Sequence, residues 1–84
     1  MPNFYFTYSC EGQPFVGGWT LINAPNEEVA RCIFRSFHPD RHEGILNCAY
    51  VYSEERFQRT KMFEKGNFGK ALRERIIVTR EVIG

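Results

Sequence analysis

Residues 23–37 read NAPNEEVARCIFRSF and form the most strongly patterned segment of this 84-residue chain. Pro25 suits the first helical position, because the N–H that proline lacks would have no partner there. Pro39 ends the helix, since the residue before a proline avoids helical backbone angles. The apolar residues of the segment recur at helical spacing and share one face. They are Val29, Ala30, Ile33, Phe34 and Phe37. The segment therefore predicts one amphipathic helix.

Two strand patterns come before this helix. Over residues 3–9, NFYFTYS, the side chains alternate with the period of two that is typical of a strand. Residues 16–22, VGGWTLI, predict a second strand, and the intervening EGQPF predicts a turn. The two strands are therefore expected to form a hairpin with a longer loop. Within the second strand, Gly17 and Gly18 indicate a bulge or the close approach of another backbone.

A third strand and a second helix follow. Residues 45–52, ILNCAYVY, are apolar on both faces, which predicts a strand in the centre of a sheet. Ser53 and the two glutamates after it are typical of a helix N-terminus. They predict a short helix over residues 53–63.

The last third of the chain predicts a turn and a final strand. GNFG at residues 66–69 indicates a tight turn with positive backbone angles, and we expect Phe68 to pack into the core. Residues 73–82 predict the last strand. The order β-β-α-β-α-β predicts one α+β domain over residues 1–84. We expect a small, mostly antiparallel sheet of about four strands, with two helices packed on one face.

Composition narrows the functional classes. No apolar run approaches the roughly 20 residues that span a bilayer, and the first eight residues lack the features of a secretory signal. We therefore expect a protein of the host cytoplasm. The net charge is +1, but residues 53–84 carry eight basic and five acidic side chains. This mild asymmetry keeps a nucleic-acid-binding module that uses the basic C-terminal third as an alternative function.

The cysteines and histidines are candidate metal ligands. Three cysteines are an odd number, which argues against a disulfide framework. Cys10, His38, His42 and Cys48 offer the nitrogen and sulfur donors of a tetrahedral zinc site. The chain has no Cys-x-x-Cys, however, and the intervening proline prevents the two histidines from lining one helix. The alternative stays open that both cysteines are small buried hydrophobic residues and that both histidines lie in loops.

A cysteine nucleophile is the enzymatic interpretation. Cys48 with His38 or His42, and Asp40 as the orienting acid, would supply its parts. No helix start or glycine-rich turn beside Cys48 marks its thiol as activated, and so small a domain has little room for a substrate cleft. We therefore expect a protein without catalytic activity.

Four segments, GQPFVGGWT, APNEEVARCIFRSFHPD, GILNCAYVYSEERF and KGNFG, resemble a group of small uncharacterised proteins from Firmicutes and their phages and conjugative elements. The resemblance covers about residues 10–76, and its motifs carry no known chemistry. Relatives hold a Cys-His pair after GNFG, where this chain has KALRE, so the resemblance does not strengthen the zinc prediction. Small proteins of such elements often resemble anti-CRISPR inhibitors, which bind a CRISPR effector nuclease and block DNA loading or cleavage.

The resemblance implies a small non-enzymatic binding or inhibitor protein of a phage or mobile element. An anti-CRISPR protein that acts by protein–protein contact is its sharpest form. Aromatic and arginine side chains dominate the energetics of such contacts. The candidate partner-binding residues are therefore the arginines at exposed helix positions. They are Arg31, Arg35, Arg56 and Arg59. Trp19 is expected in the core.

Overall fold

A computed structural model describes residues 1–78 of the chain. Its elements are β1 (Asn3–Thr7), β2 (Trp19–Asn23), α1 (Glu27–Phe37), β3 (Tyr50–Ser53), α2 (Glu54–Thr60), α3 (Met62–Lys65) and β4 (Leu72–Ile77). The four strands form one sheet in the order β3-β1-β2-β4. The pairs β1–β2 and β1–β3 are antiparallel, and β2–β4 is parallel. The predicted α+β class and the mostly antiparallel sheet are confirmed.

The first face of the sheet carries the core. Phe4 pairs with Ile22 and Phe6 with Thr20 across the central strands β1 and β2, so these side chains point to the same side. α1 covers this face, and its Phe34 ring stacks on Phe6 with centroids 4.5 Å apart. The buried cluster comprises Phe4, Phe6, Tyr8, Ile22, Ala24, Ala30, Phe34 and Ile76.

α1 begins and ends close to the predicted positions. Asn26, not Pro25, stands immediately before the helix, and its side-chain oxygen accepts a hydrogen bond from the Val29 N–H at 2.9 Å. This cap satisfies one of the backbone donors that every helix start leaves open. The helix ends at Phe37, two residues before Pro39, as the proline predicts.

The second helix lies on the opposite face, so the prediction of two helices on one face is wrong. Tyr5 neighbours Phe6 in β1 and therefore points to the other side of the sheet. The ring of Phe57 in α2 stacks on Tyr5 with centroids 4.0 Å apart and contacts Trp19 edge-on at 4.9 Å. An aromatic residue on each side of β1 gives each face an apolar surface for a helix to cover. The Tyr5 hydroxyl also donates to Glu54 at the start of α2.

The predicted third strand is shorter than expected and lies at the edge of the sheet. β3 includes only Tyr50–Ser53, whereas the pattern predicts residues 45–52 in the centre. β3 pairs with β1, which ends at Thr7, so residues 45–48 have no strand beside them to continue the ladder. A continuous apolar run predicts burial and strand formation, but it does not predict the residue at which the neighbouring strand ends.

The C-terminal predictions are correct in type and differ at their boundaries. Ser53 caps α2 as predicted, with its hydroxyl accepting from the Arg56 N–H at 3.3 Å. The predicted helix divides at Lys61, whose φ of 62° ends α2 before α3 begins. The last predicted strand corresponds to β4, and residues 79–82 of that prediction lie outside the described residues. Trp19 is buried, as expected.

Replacing Phe34 with alanine should lower the free energy of unfolding by about 3–5 kcal/mol, because it deletes a fully buried ring. Chemical denaturation followed by circular dichroism measures the change. Phe37→Ala is the matched control on the same helix, because its ring is 55% exposed, and it should cost less than about 1 kcal/mol. Similar losses in both variants would show that α1 does not pack through Phe34.

Candidate functional site

The most unusual local geometry is the tight turn at residues 66–70, called here the 66–70 turn. Asn67 N–H donates to the Lys70 carbonyl at 2.7 Å, and Lys70 N–H donates back at 3.1 Å. The two central residues, Phe68 and Gly69, have φ values of 53° and 73°. Positive φ at both central positions defines a type I′ turn, which favours asparagine and glycine. The predicted tight turn with positive backbone angles is therefore confirmed.

Asn67 fixes this turn to the rest of the molecule. Its side-chain amide donates to the carbonyls of Tyr8 at 2.6 Å and Gly18 at 2.9 Å, and its own carbonyl accepts from the Gly18 N–H at 2.9 Å. A side chain on Gly17 would place its Cβ 2.7 Å from the Asn67 carbonyl, and one on Gly18 would lie 2.3 Å from that of Ala71. The close backbone approach predicted from the glycine pair is confirmed.

Phe68 projects from this fixed turn into solvent. Its residue surface is 69% exposed, so the prediction that Phe68 packs into the core is wrong. A non-glycine residue in the left-handed region costs about 1–2 kcal/mol, and here no burial of the ring offsets that cost. The turn needs no phenylalanine for its own stability. Sequence reasoning missed this feature because an aromatic residue between glycines is normally a core anchor.

The second face of the sheet holds an open groove beside α2, called here the second-face groove. It has a volume of about 310 Å³. Its lining residues are Tyr5, Trp19, Leu21, Phe57, Gln58, Phe63, Leu72 and Arg75. Phe63 and Leu72 are themselves exposed at its wall. Apolar side chains around one arginine suit the docking of an apolar or aromatic group from a partner.

Three of the four predicted partner-binding arginines are engaged in ion pairs. Arg31 contacts Glu27 at 2.8 Å, Arg35 contacts Asp40 at 3.0 Å and Arg59 contacts Glu55 at 2.7 Å. The Arg31 and Arg59 pairs are exposed and contribute little to stability, whereas the Asp40 side chain is only 17% exposed. The fourth, Arg56, lies over the Tyr52 ring, with its guanidinium carbon 5.8 Å from the ring centroid. The four arginines lie on two helices on opposite faces of the sheet.

The predicted zinc ligands are only partly brought together. Cys10, His42 and Cys48 line one open cleft of about 420 Å³. His38 lies elsewhere, with its Nε2 bonded to the Glu74 carboxylate of β4. Within residues 1–78, no group of three or more histidine, cysteine, aspartate or glutamate side chains is arranged to hold a metal ion. The four-ligand zinc site therefore gains no support from the geometry.

A chain of hydrogen bonds runs from His38 into the core. Glu74 accepts from His38 and from the Thr20 hydroxyl, the latter at 2.9 Å, and Thr20 in turn accepts from the Tyr8 hydroxyl. Burial raises the pKa of the Tyr8 phenol well above its ordinary value. These hydrogen bonds join the end of α1 to β4, to β2 and to the residue that follows β1. They engage His38, whereas His42 lines the same cleft as Cys48.

Cys48 lacks the character of a nucleophile. Burial raises the pKa of its thiol from 9.0 to about 11, with Asp40 raising it further and Arg31 opposing the shift. The thiolate, not the thiol, attacks a substrate. At neutral pH the thiolate fraction of Cys48 is therefore lower than that of an ordinary thiol.

Alkylation by iodoacetamide at pH 8 should modify Cys10 and Cys32 first, because both are exposed while Cys48 is half-buried with a raised pKa. The thiolate population of Cys48 should be about 100-fold below that of an ordinary thiol. Peptide mapping by mass spectrometry gives the three rates in one experiment. The Cys48 rate should rise as the pH is taken from 8 to 10, and a Cys48 rate equal to that of Cys10 at pH 8 would contradict the burial.

No match is found when the chain is compared with protein-family models, with curated proteins or with solved structures. No helix within residues 1–78 is long and apolar enough to cross a membrane. Function therefore has to be inferred from the chain's own residues. The 66–70 turn and the second-face groove are the two candidate surfaces for contact with a partner.

Proposed function

We propose that this chain is a small non-enzymatic binding protein of a phage or mobile element, which inhibits a larger protein by covering part of its surface. The most specific version of this proposal is an anti-CRISPR protein that blocks a CRISPR effector nuclease. The observation that carries the proposal is Phe68, an exposed aromatic ring on a turn whose central residues have left-handed backbone. The resemblance of residues 10–76 to proteins of phages and conjugative elements supports the choice of target.

The energetics of Phe68 favour a role in contact. Aromatic side chains are enriched among the few residues that supply most of the affinity of protein interfaces. A ring held in place before binding loses little conformational entropy when it inserts into a partner's pocket. Asn67 supplies this rigidity through its hydrogen bonds to the carbonyls of Tyr8 and Gly18. The strain at Phe68 is then offset in the complex, where the ring becomes buried.

The chemistry of the remaining candidates supports binding over catalysis. The raised pKa of Cys48 leaves its thiol protonated near neutral pH. His38 is bonded to Glu74 and is not placed beside that thiol as a base. Both observations weaken a catalytic pair of Cys48 with His38, and the raised pKa of Cys48 also disfavours a pair with His42, which lines the same cleft.

Nucleic-acid binding through the basic C-terminal third is the second candidate. The observation that favours it is the position of Lys70 within the same turn as Phe68, with Lys65 just before it. An exposed ring between cations can stack on a base while the cations contact phosphates. The ion pairs of Arg31, Arg35 and Arg59 reduce the positive charge available elsewhere.

Phe68→Asn should separate binding from folding. The variant gives the turn the Asn-Gly pair that type I′ turns favour, so the free energy of unfolding should rise by about 0.5–1.5 kcal/mol. In a plasmid-interference assay against each type of CRISPR nuclease, the wild-type protein should protect the target plasmid. The variant should protect it at least about tenfold less at equal expression.

Phe37→Ala is the control for this experiment, because it also removes an exposed ring but from regular helix. It should retain full protection. Loss of stability in Phe68→Asn would assign the ring a structural role. Full protection by Phe68→Asn would exclude it from the contact, and a wild-type protein that protects against no nuclease would remove the anti-CRISPR form of the proposal.

The nucleic-acid candidate predicts a strong dependence of affinity on salt. If the chain binds single-stranded DNA or RNA through Lys65 and Lys70, the association constant should fall steeply between 50 and 200 mM salt, roughly as the −0.7 power of salt for each phosphate contacted. Fluorescence anisotropy with a labelled oligonucleotide measures the slope. A double Lys65→Gln, Lys70→Gln variant should reduce that slope by about one to two. No binding at 50 mM salt would eliminate this function.

A further inference from the structure

We propose that the outer edge of β3 accepts an extended segment of another polypeptide, which adds to the sheet as a fifth strand. The segment would be apolar at alternate positions and would carry a carboxylate that reaches Arg31. This inference concerns a surface other than the 66–70 turn, because no residue of that turn lines the groove beside β3. It does not depend on the function proposed above.

The two edges of the sheet differ in their protection against strand addition. Within residues 1–78, β3 is hydrogen-bonded to one neighbouring strand, β1. Its sequence, YVYS, contains no charge and no proline, whereas β4 carries Arg73, Glu74 and Arg75. Natural sheets usually place charges, prolines or bulges on their edges to prevent pairing with other chains. β3 lacks the charges and the proline, and its residue types have high strand propensity.

A groove of about 390 Å³ runs beside this edge. Among its lining residues are Ile45, Leu46, Tyr50 and Val51, with Arg31 of α1 as the one charged side chain. Ile45 is 63% exposed and Tyr50 is 68% exposed, so two large apolar surfaces face solvent at the same place. The groove supplies side-chain contacts to a strand whose backbone pairs with β3, which is the usual division of affinity and specificity in strand addition.

The strand pattern in the sequence beside this edge is longer than the strand that forms. Residues 45–52 carry a strand pattern, yet only Tyr50–Ser53 form β3. Residues 45–48 lie beyond the end of β1, which stops at Thr7. The N–H groups of Ile45 and Cys48 bond to the carbonyls of His42 and Leu46, so an added strand would pair with Tyr50–Ser53 and contact residues 45–48 through their side chains.

The charge of the groove selects the kind of segment. Arg31 donates to one oxygen of Glu27 through Nε and Nη2, and among residues 1–78 its Nη1 makes no hydrogen bond, which leaves that edge of the guanidinium to a second carboxylate. An aspartate or glutamate in the bound segment would complete this pairing. A second copy of β3 fits less well, because YVYS offers no carboxylate to Arg31.

Selection from a random peptide library displayed on phage tests the proposal without any knowledge of the natural partner. Enriched sequences should alternate apolar residues with others, contain an acidic residue and lack proline. Addition of a selected synthetic peptide to the ¹⁵N-labelled full chain should slow amide hydrogen exchange within Tyr50–Ser53. Failure to select any peptide, or peptides that leave these amides unchanged, would overturn the proposal.

Two exposed positions provide matched variants that should not affect folding. Ile45→Glu places a carboxylate in the groove and should weaken peptide binding at least about tenfold, as expected for loss of a central contact together with charge repulsion. Phe63→Glu makes the same change at the second-face groove and should leave the affinity unchanged. The reverse result would place the peptide in the second-face groove and contradict strand addition. Protection of Tyr50–Ser53 that grows with protein concentration alone would identify a second copy as the occupant.

Phe68→Asn separates this inference from the inhibitory function. The variant should bind the selected peptide with wild-type affinity, because no residue of the 66–70 turn lines the groove beside β3. Loss of peptide binding in Phe68→Asn would show that the two surfaces are one, which is contrary to the proposal. Peptide binding by a chain that fails to protect plasmids would leave the strand acceptor intact and remove only the anti-CRISPR role.

Discussion

The alternation of aromatic side chains along β1 determines how the layers of this molecule are arranged. Phe6 points to one side of the sheet and stacks on Phe34 of α1, while its neighbour Tyr5 points to the other side and stacks on Phe57 of α2. A single five-residue strand therefore binds one helix on each face. A chain of this length buries only about 60% of its unfolded surface, so large flat rings supply area that a bigger aliphatic core would otherwise provide.

Asn67 links this centre to the 66–70 turn. Its amide holds the carbonyls of Tyr8 and Gly18, next to the adjoining ends of β1 and β2, and β4 begins five residues further on. The contact that holds Phe68 outward thus also brings β4 beside β2 in parallel orientation. Within the described residues, Phe68 and Gly69 make none of the hydrogen bonds of this junction, so the tip of the turn can change without disturbing the sheet. A rigid scaffold with a replaceable tip is a common arrangement in binding proteins.

The sequence predicted those features that depend on local pattern. The amphipathic spacing of α1, the Ser53 cap and the close approach at Gly17 are local signals, and each is found in the structure. Features that depend on distant partners were not predicted. The strand pattern over residues 45–52 contains no information on where β1 stops, and the outward direction of Phe68 follows from hydrogen bonds made by its neighbour to residues about 50–60 positions away. The exposure of Phe68 on the 66–70 turn could not be predicted for the same reason.

Two non-glycine residues of the described chain, Lys61 and Phe68, have left-handed backbone, and the physical reason differs between them. Lys61 ends α2, where left-handed residues are common, and its N–H bonds to the Gln58 carbonyl, so helix termination accounts for its conformation. Phe68 has no such explanation, since asparagine would make the same turn at lower cost. Departures from local rules in natural proteins concentrate where function requires them. The left-handed backbone of Phe68 and the uncharged edge of β3 are both departures of this kind. Both place apolar groups in solvent, where contact with another molecule would bury them.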